Sequence, residues 1–187
     1  MCGPRATVVT RPFRLFRYVP TAPDYVQSKV AFDAGLLHLE GRYNEEDLST
    51  GSAWVGVNTA GGEALTWKLT PMAGAVLGRT NGIAPGFEGS LGYWKLELYA
   101  DGAYVLGLGQ DSPDFLYGWS QFTIDPWTWL RTGIVAERMR AHQSGHTIDR
   151  GFLLQLSASV VSLTCYVLNP DDSSPIVGTG VEVLITP

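Results

Sequence analysis

The chain has 187 residues, of which 45% are hydrophobic, 11% are aromatic and only 17% are charged, with a formal net charge of −5. This composition excludes wholesale disorder, and the length allows a single domain to bury a sizeable core. The 22 glycines and 11 prolines favour many short strands and tight turns over long surface helices.

The charge is unevenly distributed along the chain. The first 29 residues carry five basic residues and one acidic residue, a net charge of +4, whereas the remaining residues hold 8 basic and 17 acidic residues, a net charge of −9. Four prolines between residues 4 and 23 favour extended backbone. We interpret residues 1–29 as an extended basic arm that precedes an acidic domain, residues 30–187.

Strand patterns dominate this domain. Apolar and polar residues alternate in residues 65–70 and again in residues 91–99, as expected of half-buried strands. Asp101 and Gly102 form the strongest short hairpin signal in the chain. A second hairpin is predicted around residues 169–175, where proline, aspartate and serine cluster between two apolar runs.

One short helix is predicted at about residues 126–142. Asp125 suits the N-cap and Pro126 the first helical position, and Leu130 and Ile134 recur at helical spacing. Combined with the strand patterns, this predicts a mainly β chain: an antiparallel β-sandwich or jelly-roll-like domain with one short helix and an extended N-terminal arm.

Motifs of catalysis and cofactor binding are missing from the sequence. It contains no G-x-S-x-G, G-x-G-x-x-G or G-x-x-x-x-G-K-[ST] pattern, and no run of 18 apolar residues. His142, His146 and Asp149 have a spacing that suits zinc on a helix, but Gly145 interrupts the helical pattern between the histidines. We therefore expect no enzyme activity, no cofactor, no metal and no membrane contact.

Five aromatic residues fall within 13 positions: Tyr117, Trp119, Phe122, Trp127 and Trp129. Tryptophan and tyrosine dominate the energetics of protein–protein interfaces, and exposed rings also stack on sugars. Three interpretations stay open for this cluster, namely core packing, a protein interface or a carbohydrate platform.

The arm also has three interpretations. It could cross the acidic surface of a neighbouring subunit, pack on its own domain, or bind single-stranded nucleic acid through charge and stacking. A net charge of +4 beside an acidic domain disfavours nucleic acid, because phosphate binding depends on accumulated positive charge. The candidate interface residues are Arg5, Arg11, Arg14, Arg17, Phe13, Phe16, Tyr18, Tyr117, Trp119, Trp127 and Trp129.

From these patterns we expect a structural, non-enzymatic subunit of a larger assembly. The setting favoured by low charge, glycine-rich strands and an arm is a virus or phage particle, in which the chain would be a minor capsid, decoration or tail-associated protein. It would be assembled in the host cytoplasm and bind other subunits or copies of itself. The alternative is a lectin-like, carbohydrate-binding sandwich that uses exposed tryptophans.

Overall fold

A computed structural model of the protein describes residues 6–18, 25–109, 114–138 and 148–185, with only the backbone described for residues 6–18 and for residue 185. No helix in these residues is long and apolar enough to cross a membrane. The described residues form thirteen strands: β1 (Ala6–Tyr18), β2 (Tyr25–Ala34), β3 (Leu37–Tyr43), β4 (Thr50–Val57), β5 (Thr59–Gly61), β6 (Leu65–Gly78), β7 (Gly82–Tyr93), β8 (Leu96–Gly107), β9 (Phe115–Trp127), β10 (Leu130–Arg138), β11 (Asp149–Ala158), β12 (Val161–Leu168) and β13 (Ile176–Ile185).

These strands form one antiparallel sheet that closes on itself. Neighbours in the sheet follow the order of the chain, β1 pairs with both β2 and β13, and β4 pairs with β6. The short strand β5 continues β4 along β6, so the closed ring has twelve strand positions. Because every position in the ring has a partner on both sides, the described ring leaves no open sheet edge. We call this closed sheet the cylinder.

The inside of the cylinder carries the ionisable side chains together with buried apolar and aromatic ones, and the outside is apolar. Successive side chains of a strand point to opposite faces, and along β3 His38, Glu40 and Arg42 are buried whereas Leu37 and Leu39 are 42% and 41% exposed. The other strands with described side chains also alternate between more buried and more exposed positions, although their buried positions include apolar residues such as Val76, Val105 and Leu168. A β-sandwich does the reverse, since it buries the apolar face of each sheet.

The prediction of a mainly β chain is confirmed, but its finer details are not. In the described residues all strands belong to one closed sheet, and two stacked sheets are not seen. The helix predicted at residues 126–142 is wrong where the structure describes it, because residues 130–138 form β10. Leu130 and Ile134 are four positions apart, an even number, so their spacing also places them on one face of a strand.

One predicted hairpin is wrong and the other is confirmed. Asp101 and Gly102 lie in the middle of β8, and the chain instead reverses at Trp94, which has a φ of 54°. The turn propensity of Asp-Gly is overridden because Asp101 faces the interior, where it binds two basic side chains. The hairpin around residues 169–175 joins β12 to β13 as predicted.

The predicted arm contributes a strand to the wall of the cylinder. The backbone of residues 6–18 is β1, paired between β2 and β13, and the predicted boundary after residue 29 falls inside β2. Arg5 and the side chains of the other candidate arm residues, Arg11, Arg14, Arg17, Phe13, Phe16 and Tyr18, lie outside what the structure describes.

The two ends of the cylinder differ in their connections. At one end, which we call the short-turn end, strands reverse within about two residues, at residues 35–36, 94–95, 128–129 and 159–160. The opposite end, the loop end, carries longer connections such as residues 44–49. The interior therefore ends at short turns on one side and at longer connections on the other.

Candidate functional site

The interior is organised around Arg42 of β3, which is fully enclosed. Its guanidinium group donates hydrogen bonds to Glu40, to Glu46 at 3.4 Å and to Asp101 at 3.2 Å. The same group lies 4.6 Å from the ring centroid of Trp54, within the range of a cation–π contact. Arg42 therefore links β3, the connection that follows it, and β8 across the inside of the cylinder.

Lys29 of β2 joins the same network. Its ammonium group contacts a carboxylate oxygen of Asp101 and lies 3.8 Å from Glu40. Burial alone would raise the pKa of Asp101, but the positive charges of Arg42 and Lys29 outweigh it and lower that pKa. Burial and Arg42 oppose the charge on Lys29, yet Asp101 and Glu40 prevail and raise the pKa of Lys29. Both partners are thus held in their charged forms.

The connection between β3 and β4, residues 44–49, folds into the loop end of the interior. Glu45 accepts a hydrogen bond from the hydroxyl group of Tyr117 at 2.9 Å, and Glu46 accepts one from Ser52 at 2.9 Å. Both glutamates are 0% exposed. Buried polar groups of this kind need such partners, so this connection fills the interior near the loop end.

A histidine and two glutamates meet next to this network, and Glu40 belongs to both groups. His38 and Glu40 of β3 and Glu88 of β7 each bring one potential metal-ligand atom to within 4.8 Å of the others. Asp33 of β2 lies 2.7 Å from Nδ1 of His38 and also accepts a hydrogen bond from Asn58 at 2.6 Å. Burial would lower the pKa of His38, but the carboxylates of Glu40 and Asp33 outweigh it and raise that pKa.

A polar cavity of about 270 Å³ opens at the short-turn end. Arg131 of β10 lines it and is fixed by hydrogen bonds to Asp125 at 2.7 and 2.9 Å and to Glu97 at 2.9 Å. Arg131 is 30% exposed, so its ion pairs are reached by solvent. The remaining polar residues that line this cavity are Thr128, Gln155, Ser157, Ser159, Ser162 and Glu182.

The outer wall is almost free of charge. Among the strand positions with described side chains, only Arg138 and Arg150 are charged and point outward, and both lie at the loop end. Exposed tryptophan and tyrosine rings lie near both ends of the cylinder. They are Trp67, Tyr93, Trp94, Trp127 and Trp129 at the short-turn end and Tyr43 and Tyr104 toward the loop end.

The structure separates the aromatic candidates into two groups. Tyr117 and Trp119 point inward and are 1% and 2% exposed, so they belong to the interior. Trp127 and Trp129 lie on the outside, with ring centroids 5.7 Å apart and an interplanar angle of 14°. His142 and His146 fall outside the described residues.

Sequence reasoning missed the interior cluster of Lys29, His38, Glu40, Arg42 and Asp101. One signal for it was present in residues 37–43, Leu-His-Leu-Glu-Gly-Arg-Tyr, where ionisable residues alternate with apolar or small ones. In a strand this pattern places all three ionisable side chains on one face and the rest on the other. Nothing in the sequence alone indicates which face is enclosed.

No model of a known protein family matches the chain, and a search of curated proteins found no match.

Proposed function

We propose that the chain is a membrane-embedded protein whose outer wall lies in the hydrocarbon of a lipid bilayer. The observation that carries the proposal is the inverted alternation: on the strands with described side chains, apolar side chains face outward and nearly all ionisable groups face inward. In lipid, every backbone polar group must be paired within the protein. A sheet without an open edge meets that requirement.

The length of the strands supports the same function. A tilted strand needs about 9–11 residues to cross a bilayer, and nine of the twelve wall strands in the described ring have nine residues or more. The exposed aromatic rings near the two ends of the cylinder suit the two membrane–water interfaces, where tryptophan and tyrosine are enriched.

The predicted function, a structural subunit of a virus or phage assembly, remains an alternative proposal. Neighbouring subunits could cover the same apolar wall. Lipid is favoured because the wall is apolar on every strand with described side chains, whereas a protein interface covers a patch with a polar rim. The lectin-like alternative would depend on the exposed pair Trp127 and Trp129 and stays a prediction.

The filled interior favours a closed membrane protein over an open channel. Arg42, Asp101 and Lys29 bridge opposite sides of the cylinder and are at most 4% exposed, and residues 44–49 add further buried groups near the loop end. The open cavity at the short-turn end is small and polar. We therefore infer that the interior does not form an open pathway for solutes through the protein.

A charged side chain introduced on the outer wall should lower the free energy of unfolding in lipid. Phe122 points outward in mid-strand between Leu98 and Ile134, so Phe122→Arg should lower the free energy of unfolding in lipid vesicles by about 2–4 kcal/mol. Thr128→Arg, in a turn at the short-turn end, should cost roughly 0–1 kcal/mol because it reaches water. Urea titration of the vesicle-bound protein, followed by tryptophan fluorescence, measures both values.

Two outcomes would count against this function. The first is a wild-type chain that stays folded and monomeric in buffer without lipid or detergent. The second is a lipid-free oligomer of fixed size in which Phe122→Arg blocks assembly. The second outcome would favour the structural-subunit alternative.

A further inference from the structure

The group formed by His38, Glu40 and Glu88 has the composition of a metal site. His38 and Glu40 lie on β3 and Glu88 lies on β7, and the two strands are not neighbours in the ring. Their side chains therefore meet across the interior. His38, Glu40 and Glu88 are 0%, 5% and 2% exposed, so the group is shielded from bulk water.

The histidine is held in a metal-binding orientation. Asp33 fixes Nδ1 of His38 at 2.7 Å, and Lys68 lies 3.4 Å from the other carboxylate oxygen of Asp33. The opposite ring nitrogen, Nε2, is buried, makes no hydrogen bond and lies 3.7 Å from Oε2 of Glu40. In metal proteins, a carboxylate behind a ligating histidine sets both its tautomer and its direction in this way.

We propose that Nε2 of His38 and one carboxylate oxygen each from Glu40 and Glu88 bind a zinc ion. Zinc takes nitrogen and oxygen ligands at about 2.0–2.2 Å in tetrahedral geometry, which holds its ligands roughly 3.4 Å apart. The 3.7 Å between Nε2 and Oε2 is close to that separation. Three protein ligands leave a fourth position for water.

The charges around the group are compatible with one divalent cation. The two carboxylate oxygens of Glu40 face different partners. Oε1 accepts a hydrogen bond from Arg42, and Oε2 faces His38 and lies 3.8 Å from the ammonium group of Lys29. Glu40 thus keeps one oxygen for Arg42 and offers the other to the ion. The site depends on the interior alone, so it does not depend on what covers the outer wall.

Metal binding to the full-length, metal-free protein folded in detergent tests the proposal. Calorimetry with zinc should give one equivalent bound, and cobalt(II) as a spectroscopic probe should develop visible bands of four- or five-coordinate geometry. His38→Ala and Glu88→Gln should each weaken zinc binding at least tenfold. Asp33→Asn, which alters only the positioning residue, should weaken it by about 10–100-fold.

Glu137→Gln is the matched control. Glu137 is another buried glutamate of the interior, where it accepts a hydrogen bond from Gln27, and its loss should leave zinc binding unchanged. If a variant of a proposed zinc ligand does not fold, the wild-type protein still tests the proposal. Zinc that binds the folded protein must raise its Tm in a concentration-dependent way. A wild-type protein without zinc uptake or a Tm shift would overturn the proposal. Zinc binding that is undiminished in folded Glu88→Gln would do the same.

Discussion

Asp101 is the residue on which the enclosed side chains of Lys29 and Arg42 converge. Its two carboxylate oxygens contact Arg42 and Lys29, and it is 3% exposed. Breaking a buried ion pair by removing one partner costs far more than the pair contributes, because it leaves a charge uncompensated in a poorly polarisable environment. Here a single change would take one carboxylate away from two buried basic side chains and leave Glu40 as the acidic neighbour that they share.

Asp101→Asn is therefore expected to lower the free energy of unfolding by about 3–5 kcal/mol. The matched control is Asp171→Asn, which removes the partner of Arg150 in an ion pair that is mostly exposed and should cost less than about 1 kcal/mol. Denaturant unfolding of both variants under one lipid or detergent condition gives the comparison. Equal costs would mean that the interior is hydrated rather than enclosed.

At the residue scale, the sequence indicated little of this network. Asp101 precedes Gly102, and that pair favours a turn when only local geometry is considered. The partners of Asp101 are 72 and 59 positions away, at Lys29 and Arg42, so their attraction is invisible to local patterns. The sequence could have assigned the aromatic residues of β9 to two faces, because Trp119 and Phe122 are three positions apart and therefore point to opposite sides of a strand.

The short turns are the elements that the sequence specifies least well. The chain reverses between β11 and β12 at Ser159, which has a φ of 55° although it is not glycine. Only glycine adopts this left-handed region without a steric cost, and other residues lose roughly 1–2 kcal/mol there. The turn therefore forms because its flanking strands pair along their whole length.

Ser159→Gly should consequently stabilise the protein by about 0.5–1 kcal/mol, by removing the steric cost at this position. Ser157→Gly is the control, because Ser157 lies within β11 and its side chain hydrogen-bonds Ser162 at 2.9 Å. That change should destabilise by about 0.5–1 kcal/mol, since glycine weakens a strand. A stabilising effect of Ser157→Gly or a loss in Ser159→Gly would contradict the assigned turn.

The sequence patterns predict that strands are present, but they do not predict how the strands are arranged in the sheet. The alternation in residues 65–70 and the turn at 169–175 correspond to β6 and to the β12–β13 connection, whereas residues 91–99, predicted as one strand, contain the turn between β7 and β8. The helix prediction failed because a spacing of four residues fits both a helix and one face of a strand. Closure of the ring depends on the pairing of β1 with β13, which are distant in sequence, and local patterns carry no information about it.

At the scale of the whole molecule, the decisive property is which face of the sheet is enclosed. The expectation of no membrane contact came from the lack of 18 consecutive apolar residues, and that criterion describes a helix. A strand of the cylinder alternates instead, so its apolar residues never form a long run. The composition alone therefore could not distinguish an assembly subunit from a protein in lipid.

The proposed contact between the wall and lipid can be tested directly by fluorescence quenching. Bromine atoms on lipid acyl chains quench tryptophan only when the two are in contact, and the two faces of β9 offer a matched pair of positions. One variant keeps Trp119, which points inward, and has the five other tryptophans of the chain replaced by phenylalanine. The second carries Phe122→Trp and has all six natural tryptophans replaced.

In vesicles of brominated lipid, we expect strong quenching of the tryptophan at position 122 and little quenching of Trp119, three residues away on the same strand. That difference would place the apolar face of the sheet in hydrocarbon and the polar face away from it. An unquenched tryptophan at position 122 in the folded, vesicle-bound protein, or equal quenching at both positions, would contradict the account.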